Sequence, residues 1–343
     1  MTIMDGKAVA RSWKEEMQST VEMLTDFNYQ PCLAVVSVGD DAASQVYVRN
    51  KKKACEEMNI KFIEKHLAAD CSPEELVDAI TSLNEDKSVN GIILQLPLPP
   101  QLDENYFINH IDPIKDVDGL TAFNQGYLAQ MEVEQFYPPC TPLGIGVLLT
   151  EYGLRDLAGK HVVIVGRSKL VGKPLMQLLL QKDATVTVCH SKTADLASFT
   201  RQADVLIVAV GKPKFITADM VKPGAAVVDV GINRVDGKLC GDVDFDAVKE
   251  VAEHITPVPG GEYGWMYCSS VHCAIDFILD THTPYDGETV FTDKDEFEEA
   301  VSDALNNKET SELSDSEFDA MVKAEVAKYE PYWRKVIAVY GDN

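Results

Sequence analysis

The feature that most constrains this chain is a repeated alternation of short apolar runs with segments of helical periodicity. Pro31 to Val38 is a buried-strand run that stops at Gly39-Asp40-Asp41. Ala43 to Met58 then carries apolar residues at helical spacing, and Lys61 to Leu67 reads as a strand. Ser72-Pro73-Glu74-Glu75 opens the next helix, with Ser as N-cap, Pro at the first position and Glu at the third. Gly91 to Leu96 is a further strand, stopped by Pro97. A β-α-β-α-β order demands a parallel sheet with helices on both faces, because parallel neighbours need a crossover.

The style repeats downstream. Pro142 to Tyr152 reads as a joining helix. Strands are expected at Lys160 to Val165, Thr185 to Cys189, Val205 to Val210 and Ala225 to Val230. Helices are expected at Lys173 to Leu180 and around Ala194 to Gln202. The 343 residues exceed what one core usually holds. The expected fold is therefore α/β with two doubly wound domains, residues 1–138 and 139–270, the second Rossmann-like. Residues 271–343 would add a closing helix and an acidic C-terminal extension. From about Thr281 acidic clusters alternate with Phe297, Val301, Leu305, Phe318, Met321, Val322 and Trp333 at roughly helical spacing.

A net charge of −24 argues against nucleic acid as a partner, since phosphate backbones need clustered Lys and Arg. No apolar run is long enough to span a bilayer. Met1 to Gly6 has no basic stretch leading into an apolar one, so no secretion signal is expected. The eight cysteines are scattered without a C-x-x-C pair, which reads as reduced thiols in the cytoplasm and as no metal site.

Two stretches carry candidate chemistry. Val162 to Val165 runs into Gly166-Arg167-Ser168, and Gly172-Lys173-Pro174 opens a helix. Gly166 stands where the chain turns sharply. Gly172 stands where backbone approaches a phosphate or packs tightly on the sheet. A plain βα turn gives the same pattern. The following strand ends in His190-Ser191-Lys192-Thr193 without the acid that binds the ribose hydroxyls of NAD, and Arg167 is nearby. Cation, hydroxyls and no carboxylate favour NADP, although solvent-exposed turns would look alike. In the first half, Ser44, Tyr47 and Lys51 share a predicted helix, and Tyr47 and Lys51 lie one turn apart. Lys51-Lys52-Lys53 would equally suit a solvated face. Gln95 breaks an apolar strand and needs partners if buried. Asp116-Val117-Asp118-Gly119 reads as a turn, whether functional or an ordinary Asx turn.

Taken together, SQVYVRNKKKA (44–54), GIILQLPLP (91–99), KDVDG (115–119), PCTPLG (139–144), GRSKLVGKP (166–174), CHSKT (189–193) and TPVPGG (256–261) resemble the bifunctional methylenetetrahydrofolate dehydrogenase/cyclohydrolase family. The resemblance covers roughly three quarters of the chain. It implies NADP-dependent oxidation of 5,10-methylenetetrahydrofolate to the methenyl compound, then hydrolysis to 10-formyltetrahydrofolate, in one-carbon metabolism and purine biosynthesis. It implies Lys51 as the catalytic lysine, with Tyr47 and Gln95 beside it. Asp118 would bind the pterin, with Tyr47, Pro259 and Gly260 also against the folate. Gly166, Arg167, Ser168, Gly172, Ser191 and Ile232 would bind NADP. It further implies a homodimer without metal. The chain departs from the family after Gly261, where Glu262 to Tyr267 adds bulk and a carboxylate. That loop keeps two alternatives open: a single retained activity, or a non-catalytic folate- or NADP-binding regulator.

Overall fold

The computed structural model describes residues 1–26, 30–130 and 137–260, all within one compact unit, Met1–Phe277. The expected closing helix, the acidic extension and the 262–267 loop lie outside the described residues. The chain begins with a two-residue strand, β1 (Thr2–Ile3), and a long helix, α1 (Gly6–Asp26). Then come β2 (Cys32–Val38), α2 (Ala42–Glu57), β3 (Lys61–Leu67), α3 (Pro73–Glu85) and β4 (Gly91–Leu94). Among the described residues the strands form a parallel sheet in the order β3-β2-β4. Central β2 is buried along its whole length, whereas β3, at the edge, is largely exposed. Cys32, Ala34, Val36 and Val38 pack with Leu76, Ile80 and Leu83 of α3. Full burial of each of the Val, Leu and Ile side chains among them stabilises by roughly 1.5–3 kcal/mol.

Several strands are shorter than the sequence predicts: the one expected from Val205 stops at Val208, not Val210, and the one expected from Ala225 to Val230 spans Ala226–Asp229. β4 ends at Leu94, not Leu96. The Gln95 N–H still donates to the Val36 carbonyl at 2.8 Å. Pro97 then has no N–H to continue a ladder and restricts Leu96 before it.

Helix α3 is closed at both ends by side chains. The Ser72 hydroxyl accepts the Glu75 N–H at 3.2 Å, and the Glu75 carboxylate accepts the Ser72 N–H at 2.7 Å. At the other end the buried Lys115 ammonium donates to the carbonyls of Leu83, Asn84 and Asp86 at 3.1, 2.8 and 2.8 Å. These are the carbonyls that a helix end leaves unpaired, and a cation suits the negative end of the dipole.

Onward lie α4 (Glu104–Ile108), α5 (Ala122–Gln130), α6 (Cys140–Glu151), β5 (His161–Val165), α7 (Gly172–Leu180), β6 (Thr185–Cys189) and α8 (Leu196–Thr200). The described chain closes with β7 (Val205–Val208), β8 (Ala226–Asp229), the hairpin β9 (Asn233–Val235) and β10 (Lys238–Cys240), α9 (Phe245–Val248) and β11 (His254–Ile255). Here the sheet is parallel in the order β1-β11-β8-β7-β5-β6. Val162 and Ile164 pack on one face with Leu175, Leu179 and Leu148, while Val163 and Val165 pack on the other with Leu206 and Val208. Burial on both faces explains why these strands read as continuous apolar runs.

The first residues belong to this second sheet. Thr2 and Ile3 pair with His254 and Ile255 of β11, and Met4 is fully buried beside Ile145 and Leu148. A two-residue strand carries no periodicity, so no pattern announced it.

Candidate active site

In the first sheet the chain passes from β2 outward to β3 and then crosses back to β4. Ligands of open parallel sheets sit outside the strands' carboxyl ends at such a reversal. Helix α2 starts there, because the Asp41 carboxylate accepts the Ser44 N–H at 2.8 Å and caps it. α2 carries Ser44, Tyr47 and Lys51. The Ser44 hydroxyl donates to the Leu96 carbonyl at 3.4 Å. One turn beyond half-buried Tyr47, the Lys51 amine donates to Gln95 Oε1 at 3.3 Å, and Gln95 Nε2 donates to the Leu96 carbonyl at 2.8 Å.

Lys51 is only 8% exposed, while Lys52 and Lys53 are exposed and Lys53 pairs with Glu57 at 3.7 Å. The solvated-face reading of the lysine run thus fits two of its members and fails for the first. Cys55, one turn on, is fully buried, and burial pushes its thiol up to about 12, so it is no rival nucleophile.

The Asp116–Gly119 turn lies against β4 through an Ile92–Asp116 bridge. Gly119 is left-handed, at φ +62°, and a Cβ there would collide with the backbone of Tyr137 to Pro139. Asp118, half-buried, accepts from the Cys140 thiol at 3.4 Å. The PCTP motif therefore anchors the aspartate of the preceding turn.

The second sheet reverses between β5 and β7. Gly166, at φ +133°, follows β5, and a Cβ there would overlap the carbonyl of Ala209. A Cβ at Gly172 would overlap the carbonyl of Gly166. Gly172 is therefore closely packed against the glycine turn. The Ser168 hydroxyl accepts the Val171 N–H at 3.1 Å and shapes the turn, with Arg167 and Ser168 both exposed. The Gly166 N–H donates to the Cys189 carbonyl at 2.9 Å, which sets the 190–193 turn beside the glycine turn. That turn is braced by Thr193 accepting the His190 N–H at 2.9 Å and by His190 Nδ1 accepting the Lys192 N–H at 3.1 Å. Ser191 and Lys192 are exposed. A tight glycine turn, a helix N-terminus, exposed Arg167 and hydroxyls without a carboxylate fit a dinucleotide bearing an extra phosphate.

Ile232 is exposed after β8. Pro259 is exposed, and buried Gly260, at φ +131°, accepts the Lys7 N–H at 3.1 Å. The structure thus joins Lys51 to Gln95, Asp118 to Cys140, and Gly166 to Gly172 and the 190–193 turn. Two residues of this edge escaped the sequence reading. Asp229 and Asp242 are buried carboxylates surrounded by backbone N–H groups. The available signal was an acid ending an apolar strand, AVVD, and a Gly-Asp pair at 241–242.

Residues 4–118 match the model of the tetrahydrofolate dehydrogenase/cyclohydrolase catalytic domain, and residues 139–270 that of the NAD(P)-binding domain of the same family. The chain is 54% identical over 259 residues to the bifunctional protein FolD of Halalkalibacterium halodurans, covering 76% of this chain and 92% of that one. It is 50% identical over 260 residues to that of Aquifex aeolicus, covering 76% and 89%. The crystal structure of the bifunctional FolD enzyme of Campylobacter jejuni superposes with a TM-score of 0.80 at 45% identity, covering 81% of this chain and 99% of that one. The Trypanosoma brucei FolD, crystallised with NADP and an inhibitor, gives 0.78 at 34%, covering 82% and 99%. With both halves matched in order and the same fold beneath them, this chain belongs to the tetrahydrofolate dehydrogenase/cyclohydrolase family.

Proposed function

We propose that this chain oxidises 5,10-methylenetetrahydrofolate with NADP and hydrolyses the resulting methenyl compound to 10-formyltetrahydrofolate, both steps in the crevice headed by Lys51. The observation that carries the reading is a buried lysine amine held by an amide, Lys51 on Gln95, at a sheet reversal. Bound NADP supplies the acceptor for hydride from the methylene carbon. The Lys51 amine takes a proton as water adds to the methenyl carbon and returns one to the ring nitrogen as the C–N bond opens, while the added hydroxyl loses its proton to solvent to leave the formyl C=O. Gln95 holds the amine, itself held by Leu96, and Tyr47 lines the same helix.

Asp118 accepts the donor edge of the pterin, a paired-donor group that a carboxylate matches. Pro259 and Gly260 wall the folate. Arg167, Ser168 and Ser191 suit the 2′-phosphate, Gly166 and Gly172 let the turn close, and Ile232 supplies an apolar wall for the cofactor. The working division is folate chemistry in 1–138, dinucleotide binding in 139–270 and an appended segment from 271. The family resemblance also supports a homodimer in the cytoplasm. Among the described residues no helix is long and apolar enough to cross a membrane.

The relatives matched are named bifunctional, which favours two activities over the single-activity and regulator alternatives. The test is one cuvette holding protein, methylenetetrahydrofolate and NADP, with NADPH and methenyl absorbance followed together. NADPH without lasting methenyl accumulation, beyond uncatalysed hydrolysis, is the expected result. Accumulating methenyl compound would leave a dehydrogenase alone. Silence here and on added methenyltetrahydrofolate would favour the regulator.

A further inference from the structure

The mechanism leaves two buried carboxylates unused. Asp242 is 0% exposed and Asp229 3%. Asp242 Oδ2 accepts the N–H groups of Val210 and Gly211 at 2.6 and 2.9 Å. Its Oδ1 accepts the Lys212 N–H at 2.7 Å and Asn233 Nδ2 at 2.8 Å. Asp229 in turn holds the segment that carries Asp242. Its Oδ1 accepts the N–H groups of Gly231 and Asp242 at 3.0 and 2.9 Å, and its Oδ2 accepts that of Val243 at 2.9 Å.

The two loops so tied are the ones leaving the carboxyl ends of β7 and β8. The first, through Ala209, backs the Gly166 turn. The second carries Ile232 between two anchored neighbours, Gly231 on Asp229 and Asn233 on Asp242, with the Ile232 side chain itself exposed. Gly231 and Gly241 fit the same arrangement. A Cβ on Gly231 would overlap the Asp242 carboxylate, and one on Gly241 the Asp229 carboxylate. Only a carboxylate answers four converging N–H donors, since an amide has one acceptor oxygen and adds two donors of its own.

We infer that Asp242, seated by Asp229, is a positioning residue for the cofactor: it presets the 210–212 backbone and Ile232 as the wall against which NADP settles. The inference rests on the reading that puts Ile232 at the cofactor. Loops already fixed lose little freedom when the ligand arrives, and affinity gains accordingly.

The experiment titrates full-length variants with NADP in the absence of folate, follows amide hydrogen exchange at 209–213 and 231–233, and measures the folate KM separately. For Asp242→Asn we expect faster exchange at those amides and an NADP Kd raised by about tenfold or more. The methylenetetrahydrofolate KM should move by less than about twofold, a split that general loosening of the fold would not give. Asn233→Ala, which cuts one bond to the carboxylate, should raise the NADP Kd roughly threefold. If Asp242→Asn fails to fold, Asn233→Ala decides, and an unchanged Kd there overturns the inference. Ile232→Ala separates the two layers. Weakened NADP binding in Ile232→Ala, with normal binding in the other variants, overturns only the positioning role. Normal binding in all three overturns the placement of the cofactor as well.

Discussion

Lys51 gains its importance from what surrounds it. A lysine that merely decorates a helix keeps its amine in water, whereas this one is buried and bonded to Gln95. Lys51→Met keeps the length and removes the proton carrier. Hydrolysis of methenyltetrahydrofolate should fall by about a hundredfold or more, while folate affinity, read by equilibrium titration, stays within about threefold. Undiminished hydrolysis would remove Lys51 from the chemistry. Asp229 makes a different prediction. Burial, with the Asp242 carboxylate adding to it, outweighs three backbone N–H bonds and holds its carboxyl up at about 6, against an ordinary 3.8. The folded chain therefore binds this proton more tightly than the unfolded chain. Stability from this group is full below the unfolded value and is lost as pH rises through about 6. The stability difference between wild type and Asp229→Asn should drift by on the order of 2–3 kcal/mol between pH 4 and 7 and flatten above. Urea titrations at several pH values would read it, and a constant difference would show that the carboxyl titrates as in the unfolded chain.

At the scale of elements, two glycines on neighbouring helices predict opposite outcomes. α7 can approach β5 only because Gly172 has no side chain, with the Gly166 carbonyl where a Cβ would stand and Arg167 Cα 3.0 Å from it. Gly172→Ala forces helix and turn apart. A loss of about 1–3 kcal/mol in stability is expected, together with weaker NADP binding. Gly146 lies within α6, and a Cβ there would meet nothing within 4 Å. Gly146→Ala should stabilise by about 0.5–1 kcal/mol, since the helix interior no longer pays glycine's entropy. Thermal unfolding of the two variants side by side checks both signs, and equal effects would mean that close approach is not what Gly172 provides.

At the scale of the whole molecule, the N-terminus is stitched to a sheet whose other strands lie far along the sequence. The Met4 N–H donates to the Ile255 carbonyl at 2.9 Å, and its side chain fills the core that α6 and β5 share. Met4→Ala should cost about 2–5 kcal/mol, as a full core truncation does, although it stands at the edge of the sequence. A change near zero in urea unfolding would place Met4 on a frayed end. A second long-range device is Lys169, whose ammonium reaches from the glycine turn to Glu104 at 3.2 Å and Asn105 at 2.9 Å on α4. Both partners are partly exposed, so it contributes little to stability.

Sequence alone determined the strands and helices that have a period: β2, α2, β3, α3 and the β5-to-β8 series, because alternation and apolar runs are local properties of the chain. It also determined the α3 capping box, which needs residues only three apart. It marked Gln95 as a break in an apolar strand, Lys51 by its place one turn from Tyr47, and Asp118 and Gly166 by the turns they occupy. Tertiary structure decided how those candidates are seated. It separated Lys51 from the equally basic Lys52 and Lys53, because burial depends on what packs above a helix face. It joined β1 to β11 and Cys140 to Asp118, contacts between residues that no short window sees together. It brought Asp229 and Asp242 onto one set of N–H groups, because two acids thirteen positions apart become neighbours only when two loops fold over the same sheet edge.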